Sequence, residues 1–146
     1  MSEPDATSDD EAVVRRWFEE LFNEHELAVA DEIVAPDLEY RGPKSLSPQD
    51  ATGPADIKEF VETYRDAFPD LQYVIEDVSV GGGEVRVRWS ATGTHERDLY
   101  DIESTGEQFW INGIGVFVVE DGRITEVDAQ WDTLKLVQEL GVVSEF

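Results

Sequence analysis

The sequence predicts an α+β protein, with helices packed on one face of a curved, largely antiparallel sheet. In the first half, apolar residues recur at helical spacing, over 14–22 and 57–68. After Pro69 the pattern changes to the alternation typical of strands, with turn signals at 81–83 and at Asp121-Gly122. At 146 residues the chain is long enough for one domain with its own core. We therefore expect a single domain over 1–146, with residues 1–7 frayed.

Three helices are expected before Pro69. The first begins at Ser8 and presents one apolar face, formed by Val14, Trp17, Phe18, Leu21 and Phe22. A shorter helix fits 27–34, because Pro36 follows it. A loop with a short strand at 38–41 leads to the third helix, which starts at 52–54 with proline in its first turn. Its apolar face is formed by Ile57, Phe60, Val61, Tyr64 and Phe68.

Strands are expected over 71–80, 84–94, 107–119 and 123–131, followed by a short helix. The strand at 84–94 alternates, with Val85, Val87, Trp89 and Ala91 on one side. The strand at 107–119 is apolar on both sides, so both its faces need cover. Helices cover one face of such a sheet, and we expect a homodimer to bury part of the other.

The charge restricts the partners. The chain has 34 acidic and 11 basic residues, which gives a formal net charge of −23. Such a surface repels nucleic acid and anionic membranes, so neither is expected as a partner. The acidic N-terminus is unlike a secretory signal, and cysteine is absent. The simplest predicted location is the cytoplasm.

The acids are dispersed, and lysine is scarce, as in proteins from salt-loving archaea. At 1 M salt the Debye length is about 3 Å, so their mutual repulsion would be largely screened. The alternative is an acidic surface made for a basic partner. The two histidines are 70 residues apart (25 and 95), and no motif has metal-ligand or phosphate-loop spacing. We expect neither metal nor cofactor.

Five segments resemble one family in their order and spacing: AFPDLQYVIEDV (67–78), GTH (93–95), STG (104–106), DGRITEV (121–127) and WDTLKLVQELG (131–141). They resemble the SnoaL-like polyketide cyclases, or ester cyclases, of the nuclear-transport-factor-2-like superfamily, over about residues 10–142. The resemblance implies a cone-shaped α+β barrel whose helices and sheet enclose one pocket. It also implies ring closure by intramolecular aldol condensation, without metal or organic cofactor, with Asp132 as the acid/base.

Asp132 has two interpretations. As an N-cap it would stabilise the last helix by about 1 kcal/mol. As a pocket carboxylate it would carry the acid/base chemistry that the resemblance implies. Lys135, at the third helical position, fits a capping box poorly and favours the pocket. Side chains alternate along a strand, so a pocket-facing Asp132 would bring Gln130 and Asp128 to the same wall. The alternative for Asp128 is a solvent-adapted acid near the rim of the pocket.

Five further residues are candidates for the pocket. His95 is expected on the buried side of its strand, as a structural histidine or as a proton donor to a carbonyl. Asn112 is either a pocket hydrogen-bonding group or a core amide. Arg41 either holds a substrate carboxylate or forms a surface ion pair. Trp17 and Tyr64 are expected among the aromatic residues of the core, some of which line the pocket.

Two functional hypotheses follow. The first is a cofactor-independent enzyme that acts on a small, largely apolar carbonyl compound by aldol cyclisation or isomerisation, with Asp132 assisted by His95. The second is a non-catalytic module that binds a small ligand or supports dimerisation. Arg41, where the family commonly has His, and Asp128, where it often has Trp, depart from the family pattern and favour the second.

Overall fold

The computed structural model describes residues 8–43, 46–48, 50–100 and 102–140; the predicted fraying of 1–7 lies outside these ranges. Five strands form one sheet: β1 (Val34–Arg41), β2 (Gln72–Gly81), β3 (Glu84–Thr94), β4 (Gln108–Glu120) and β5 (Arg123–Trp131). Their spatial order is β1-β5-β4-β3-β2. β1 runs parallel to β5, and the other neighbours are antiparallel, so the sheet is mixed.

The helices are α1 (Ser8–Arg16), α2 (Val29–Ile33), α3 (Gly53–Ala67) and α4 (Thr133–Glu139). α1 continues directly into a π-helical segment, Trp17–Asn23. This segment and α3 bury apolar side chains against the sheet. The α+β class and the three N-terminal helices are confirmed. The spacing did not predict that the first helix would become π-helical after Arg16.

The region around Pro36 differs from the prediction. The second helix is shorter than 27–34, because Val34 already begins β1, and β1 is longer than the predicted strand at 38–41. β1 is an edge strand, and its pairing with β5 is irregular between Val34 and Glu39. Proline is tolerated at such a place because its missing N–H interrupts no regular ladder.

Both predicted turns are present. Gly82 and Gly83 connect β2 to β3 with φ of +62° and +77°, and Asp121 and Gly122 connect β4 to β5 with φ of +53° and +79°. Positive φ at two consecutive central residues is what a tight type I′ hairpin requires. The meander from β2 to β5 therefore follows from these local residues.

The two faces of the sheet differ strongly. On β3, the predicted inward residues Val85, Val87, Trp89 and Ala91 are all buried. β4 is the central strand, as its composition indicated, and its inward residues include the buried Phe117. Its outward residues Trp110 and Ile114 are exposed. In the described structure the helices cover one face of the sheet and leave the other open.

Side chains of α4 bind the β4 backbone beyond the end of β5. The pairing of β4 with β5 stops at Gly113 and Trp131, which leaves the Trp110 backbone without a strand partner on that side. The Glu139 carboxylate accepts the Trp110 N–H at 2.7 Å. The Lys135 ammonium donates to the Trp110 carbonyl and pairs with Glu139 at 2.8 Å. These hydrogen bonds, that from Lys135 foremost, lower the pKa of Glu139.

Candidate functional site

The concave face of the sheet and the helices enclose a small cavity with aromatic walls. Nine of its twelve described lining residues are aromatic: Trp17, Phe18, Phe22, Tyr40, Phe60, Tyr73, Trp89, Phe117 and Trp131. The other three are small or aliphatic: Gly115, Val127 and Ala129. Walls of this composition recognise an apolar ligand by shape and ring contacts.

The π-helical segment explains how so many rings meet. Its residues Trp17, Phe18, Leu21 and Phe22 are all buried, and three of these four line the cavity. Trp17 stacks on Tyr40 with ring centroids 6.4 Å apart and planes 14° apart. π-helical turns inside α-helices are frequent at functional sites. Trp17, a pocket candidate from the sequence, is thus one of the lining residues of the cavity.

The cavity has a volume of only about 20 Å³, room for about one water molecule. Tyr40 also lines a surface groove with Pro48 and Asp50, and Phe60 lines another with Tyr100, so these two rings lie between the cavity and the grooves. These two rings meet edge to face at 5.1 Å between centroids. A ligand larger than water therefore requires ring movement at this pair.

Trp131, the last residue of β5, carries an unpaired polar atom. Its Nε1 is buried and has no hydrogen-bond partner among the described residues. A buried unpaired donor costs about 1–3 kcal/mol. The indole lies 6.1 Å from Trp89 and 6.4 Å from Tyr64, measured between ring centroids. The cavity wall thus includes a donor that no described residue pairs.

The phenols around the cavity stay protonated. Burial raises the pKa values of Tyr40, Tyr64 and Tyr73 well above the ordinary value. The Tyr64 hydroxyl donates to the Leu46 carbonyl, and its ring contacts Trp131, so Tyr64 lies behind the cavity wall. Among the described lining residues none is a carboxylate or a histidine. These walls offer apolar contact and neutral donors, and no base.

Asp132 is exposed and caps α4, so the prediction that its side chain faces the pocket is wrong. Its Oδ1 accepts the Lys135 backbone N–H at 2.9 Å. Trp131 is the residue at this end of β5 that lines the cavity, and the neighbouring residue points elsewhere. The lysine at position 135, which fits a capping box poorly, is explained by a different contact: its ammonium donates a hydrogen bond to the Trp110 carbonyl of β4.

The same alternation corrects the placement of three other residues. Gln130, Asp128 and Asn112 are exposed and lie outside the cavity, whereas Val127 and Ala129 line it. Asn112 is therefore neither a pocket group nor a core amide. Gln130 and Asp128 make a long contact of 3.4 Å between their side chains. These three polar side chains lie on the open face of the sheet. Gln130 and Asp128 were expected in the pocket because the parity count started from Asp132, which lies beyond the end of β5.

Arg41 and His95 also lie away from the cavity. Arg41 is exposed at the end of β1 and pairs with Glu126 at 3.3 Å and Glu39 at 3.6 Å, which agrees with the surface ion pair considered above. His95 is buried, as predicted. Its Nδ1 lies 3.2 Å from the Thr105 hydroxyl, and burial lowers its pKa. No described contact joins His95 to Asp132.

Several wall residues were missed by sequence reasoning. Tyr40, Tyr73, Phe117 and Trp131 were not assigned to the pocket, although Phe117 and Trp131 belong to the predicted strands. The signal that could have found Trp131 is the run Val127, Ala129, Trp131, which alternates as the apolar side of β5. Gly113 and Gly115 are a second signal, since a Cβ at Gly113 would meet Trp89 at 2.5 Å.

Within the described ranges, no group of three or more His, Cys, Asp or Glu residues could hold a metal ion. No helix in that part of the chain is long and apolar enough to cross a membrane.

Comparison with protein families gives one match that spans most of the chain. The model of the family described as SnoaL-like polyketide cyclase matches residues 12–140. The chain belongs to this family. Membership confirms the resemblance seen in the sequence. A search of the curated proteins found no match.

Solved structures share the fold of this SnoaL-like chain. A proposed polyketide cyclase from Acidithiobacillus ferrooxidans is 27% identical, with a TM-score of 0.78 over 97% of this chain and 98% of that one. A proposed SnoaL-like polyketide cyclase from Jannaschia sp. CCS1 is 21% identical, with a TM-score of 0.83 over 98% and 97%. TsrD from Streptomyces laurentii is 19% identical, with a TM-score of 0.81 over 93% and 97%.

Proposed function

We propose that the protein binds a small, largely apolar carbonyl compound of polyketide type in its inner cavity. The observation that carries this proposal is the cavity wall, in which nine of twelve described residues are aromatic and none is charged. Membership of the SnoaL-like polyketide cyclases supports the polyketide class. A charged ligand would lose its hydration in such a site without gaining a partner.

Binding has to open the cavity. The volume of about 20 Å³ is far below the several hundred Å³ of a typical ligand pocket. The Tyr40–Phe60 pair lies between the cavity and the surface grooves, so these rings have to turn to admit a ligand. The free energy gained by burying the ligand is then reduced by the cost of repacking these rings, so a small probe is expected to bind weakly.

The bicyclic ketone 1-indanone is a suitable probe. At a concentration ten times its Kd it is expected to stabilise the folded protein by about 1.4 kcal/mol, which raises the melting temperature by about 3–6 °C. Benzoate, of similar size but anionic, serves as the control and is expected to have no effect. Thermal melts at increasing probe concentration provide the measurement. An unchanged melting temperature with 1-indanone, or an equal rise with benzoate, would contradict the proposal.

A second candidate function is acid/base catalysis by Asp132. One observation favours it: Asp132 directly follows Trp131, which lines the cavity, and no described residue bonds to its Oδ2. A ligand that extends past Trp131 could present an acidic C–H to this free oxygen, and the carboxylate would remove the proton to leave an enolate. His95 contacts Thr105 and Phe68 rather than Asp132, so it has no role in this proton transfer.

Hydrogen exchange tests this chemistry without a known substrate. In D₂O, the protein should speed deuterium incorporation at the carbon next to the carbonyl of 1-indanone, followed by NMR. Asp132→Asn should lower the protein-catalysed rate by about a hundredfold. Its melting temperature should change little, because Asn caps a helix about as well as Asp.

Asp128→Asn is the matched control, since it removes another exposed carboxylate, four residues earlier in β5. It should leave the exchange rate unchanged. If Asp132→Asn exchanges as fast as the wild type, Asp132 is a cap alone and the catalytic candidate fails, while ligand binding is unaffected.

We also infer that the chain forms a homodimer through the open face of its sheet. Val74, Ser90 and Asn112 form one row across β2, β3 and β4, with Trp110 and Ile114 on either side of Asn112 along β4. Arg88 and Gln130 flank Ile114 in the adjacent row. Exposed apolar side chains interspersed with polar ones are common in protein interfaces.

A further inference from the structure

We propose that the indole N–H of Trp131 is the donor that holds the ligand's carbonyl oxygen. This inference rests on the proposed ligand binding and specifies its polar contact. Trp131 lines the cavity, and its Nε1 is buried without a partner among the described residues. Buried donors are nearly always paired, so a donor on a wall residue of the cavity that no described residue pairs is suited to an acceptor supplied by a ligand.

The surrounding packing fixes the position of this donor. Trp131 is paired in register with Gly113 across β4 and β5. The Trp89 ring occupies the space beside Gly113, because a Cβ at position 113 would lie only 2.5 Å from that ring. Trp89 and Tyr64 then hold the Trp131 indole between them. A rigid donor of this kind selects a ligand by where its oxygen lies.

No other described lining residue has an unpaired buried side-chain nitrogen or oxygen. The other such atom in the described structure is the His95 Nε2, and His95 does not line the cavity. The Tyr64 hydroxyl, close to Trp131, is already used by the Leu46 carbonyl. The preferred ligand is therefore a compact apolar molecule with one acceptor oxygen on the side that faces Trp131.

An indole N–H donates a hydrogen bond but does not release its proton near neutral pH. Trp131 would therefore orient the carbonyl and polarise it slightly, which makes it a positioning residue. A hydrocarbon of the same shape would gain the ring contacts without this hydrogen bond.

The test compares 1-indanone with indane, which has the same rings and no carbonyl. Affinities are measured by titrating the methyl NMR signals of Val127 and Ala129, which line the cavity. Trp131→Phe should weaken 1-indanone binding about fivefold and change indane binding little, because one neutral hydrogen bond is lost. Trp17→Phe is the matched control: Trp17 lines the same cavity, and its ring contacts are with Phe22, Tyr40 and Phe117 rather than with Trp131, so this variant should affect both probes alike.

A measurement on the wild-type protein keeps the test independent of how the variants fold. The indole N–H signal of Trp131 should move downfield with 1-indanone and not with indane. If the ratio of the two affinities is the same in Trp131→Phe and in the wild type, or if the indole signal responds equally to both probes, the inference is wrong although cavity binding stands. If neither probe reaches the cavity methyl groups, the proposed function and this inference both fail.

Discussion

Raising KCl from 0.1 M to 3 M is expected to increase the melting temperature of this protein by about 10 °C. The chain carries 34 acidic and 11 basic residues, a net charge of −23 on 146 residues. Its ion pairs are largely exposed and local, so they compensate little of this excess. The folded state therefore suffers self-repulsion that the expanded chain relieves.

Salt removes this repulsion. The Debye length falls from about 10 Å at 0.1 M to about 3 Å at 1 M, less than the spacing of most surface charges. A relief of about 3 kcal/mol corresponds to about 6–12 °C for a chain of this size. We infer that the acidic surface is an adaptation to concentrated salt, and circular dichroism melts across the KCl series provide the measurement.

A charge-reduced variant separates screening from the general stabilising effect of salt. Five exposed acids without ion pairs among the described residues are replaced by their amides: Glu24, Glu26, Asp77, Glu96 and Glu103. The net charge then changes by five, from −23 to −18. This variant should be more stable at 0.1 M KCl and gain less from salt. Equal midpoints at both salt concentrations in the wild type would instead favour a surface made for a basic partner.

Ile114→Asp is expected to convert a wild-type dimer into a monomer. Ile114 is 52% exposed at the centre of the open sheet face, with Trp110 at 47% and Val74 at 51% nearby. In a symmetric dimer this face meets its own copy, so the substitution would bring two carboxylates into one interface. Like charges in an interface cost several kcal/mol, which weakens association by about a hundredfold or more.

Light scattering at 2 M KCl and micromolar protein measures the change, because salt also screens the repulsion between copies. Val80→Asp is the control: Val80 is 37% exposed, and its pairing with the buried Val85 near the β2–β3 turn places it on the other side of the sheet from Ile114. It should leave the dimer intact. A wild-type protein that is monomeric under these conditions would contradict the proposed interface.

Local patterns were sufficient to predict most of the fold. Helical spacing identified α1 and α3, alternation identified β3 and β5, and Asp121-Gly122 identified a hairpin. These features depend on residues close in sequence. The start of β1 at Val34 was missed because the strand depends on parallel pairing with β5, about ninety residues away.

The candidate site was harder to predict, and the reason is specific. The parity of β5 was counted from Asp132, which lies outside the strand as the cap of α4, so Gln130 and Asp128 were assigned to the pocket wall although they are exposed. Lys135 was misinterpreted because its partner is the Trp110 backbone, far away in sequence. Counting from the apolar residues Val127 and Ala129 would have placed Trp131 in the wall and the polar residues on the open face.

The central claim is that a small apolar ketone binds inside the aromatic cavity. Intermolecular NOEs between 1-indanone and the protein's methyl groups test it most directly, because the two faces of the sheet carry different methyls. Binding in the cavity predicts NOEs to Val127 and Ala129, which line it. NOEs to Val74 and Ile114 alone, on the open face, would contradict the claim.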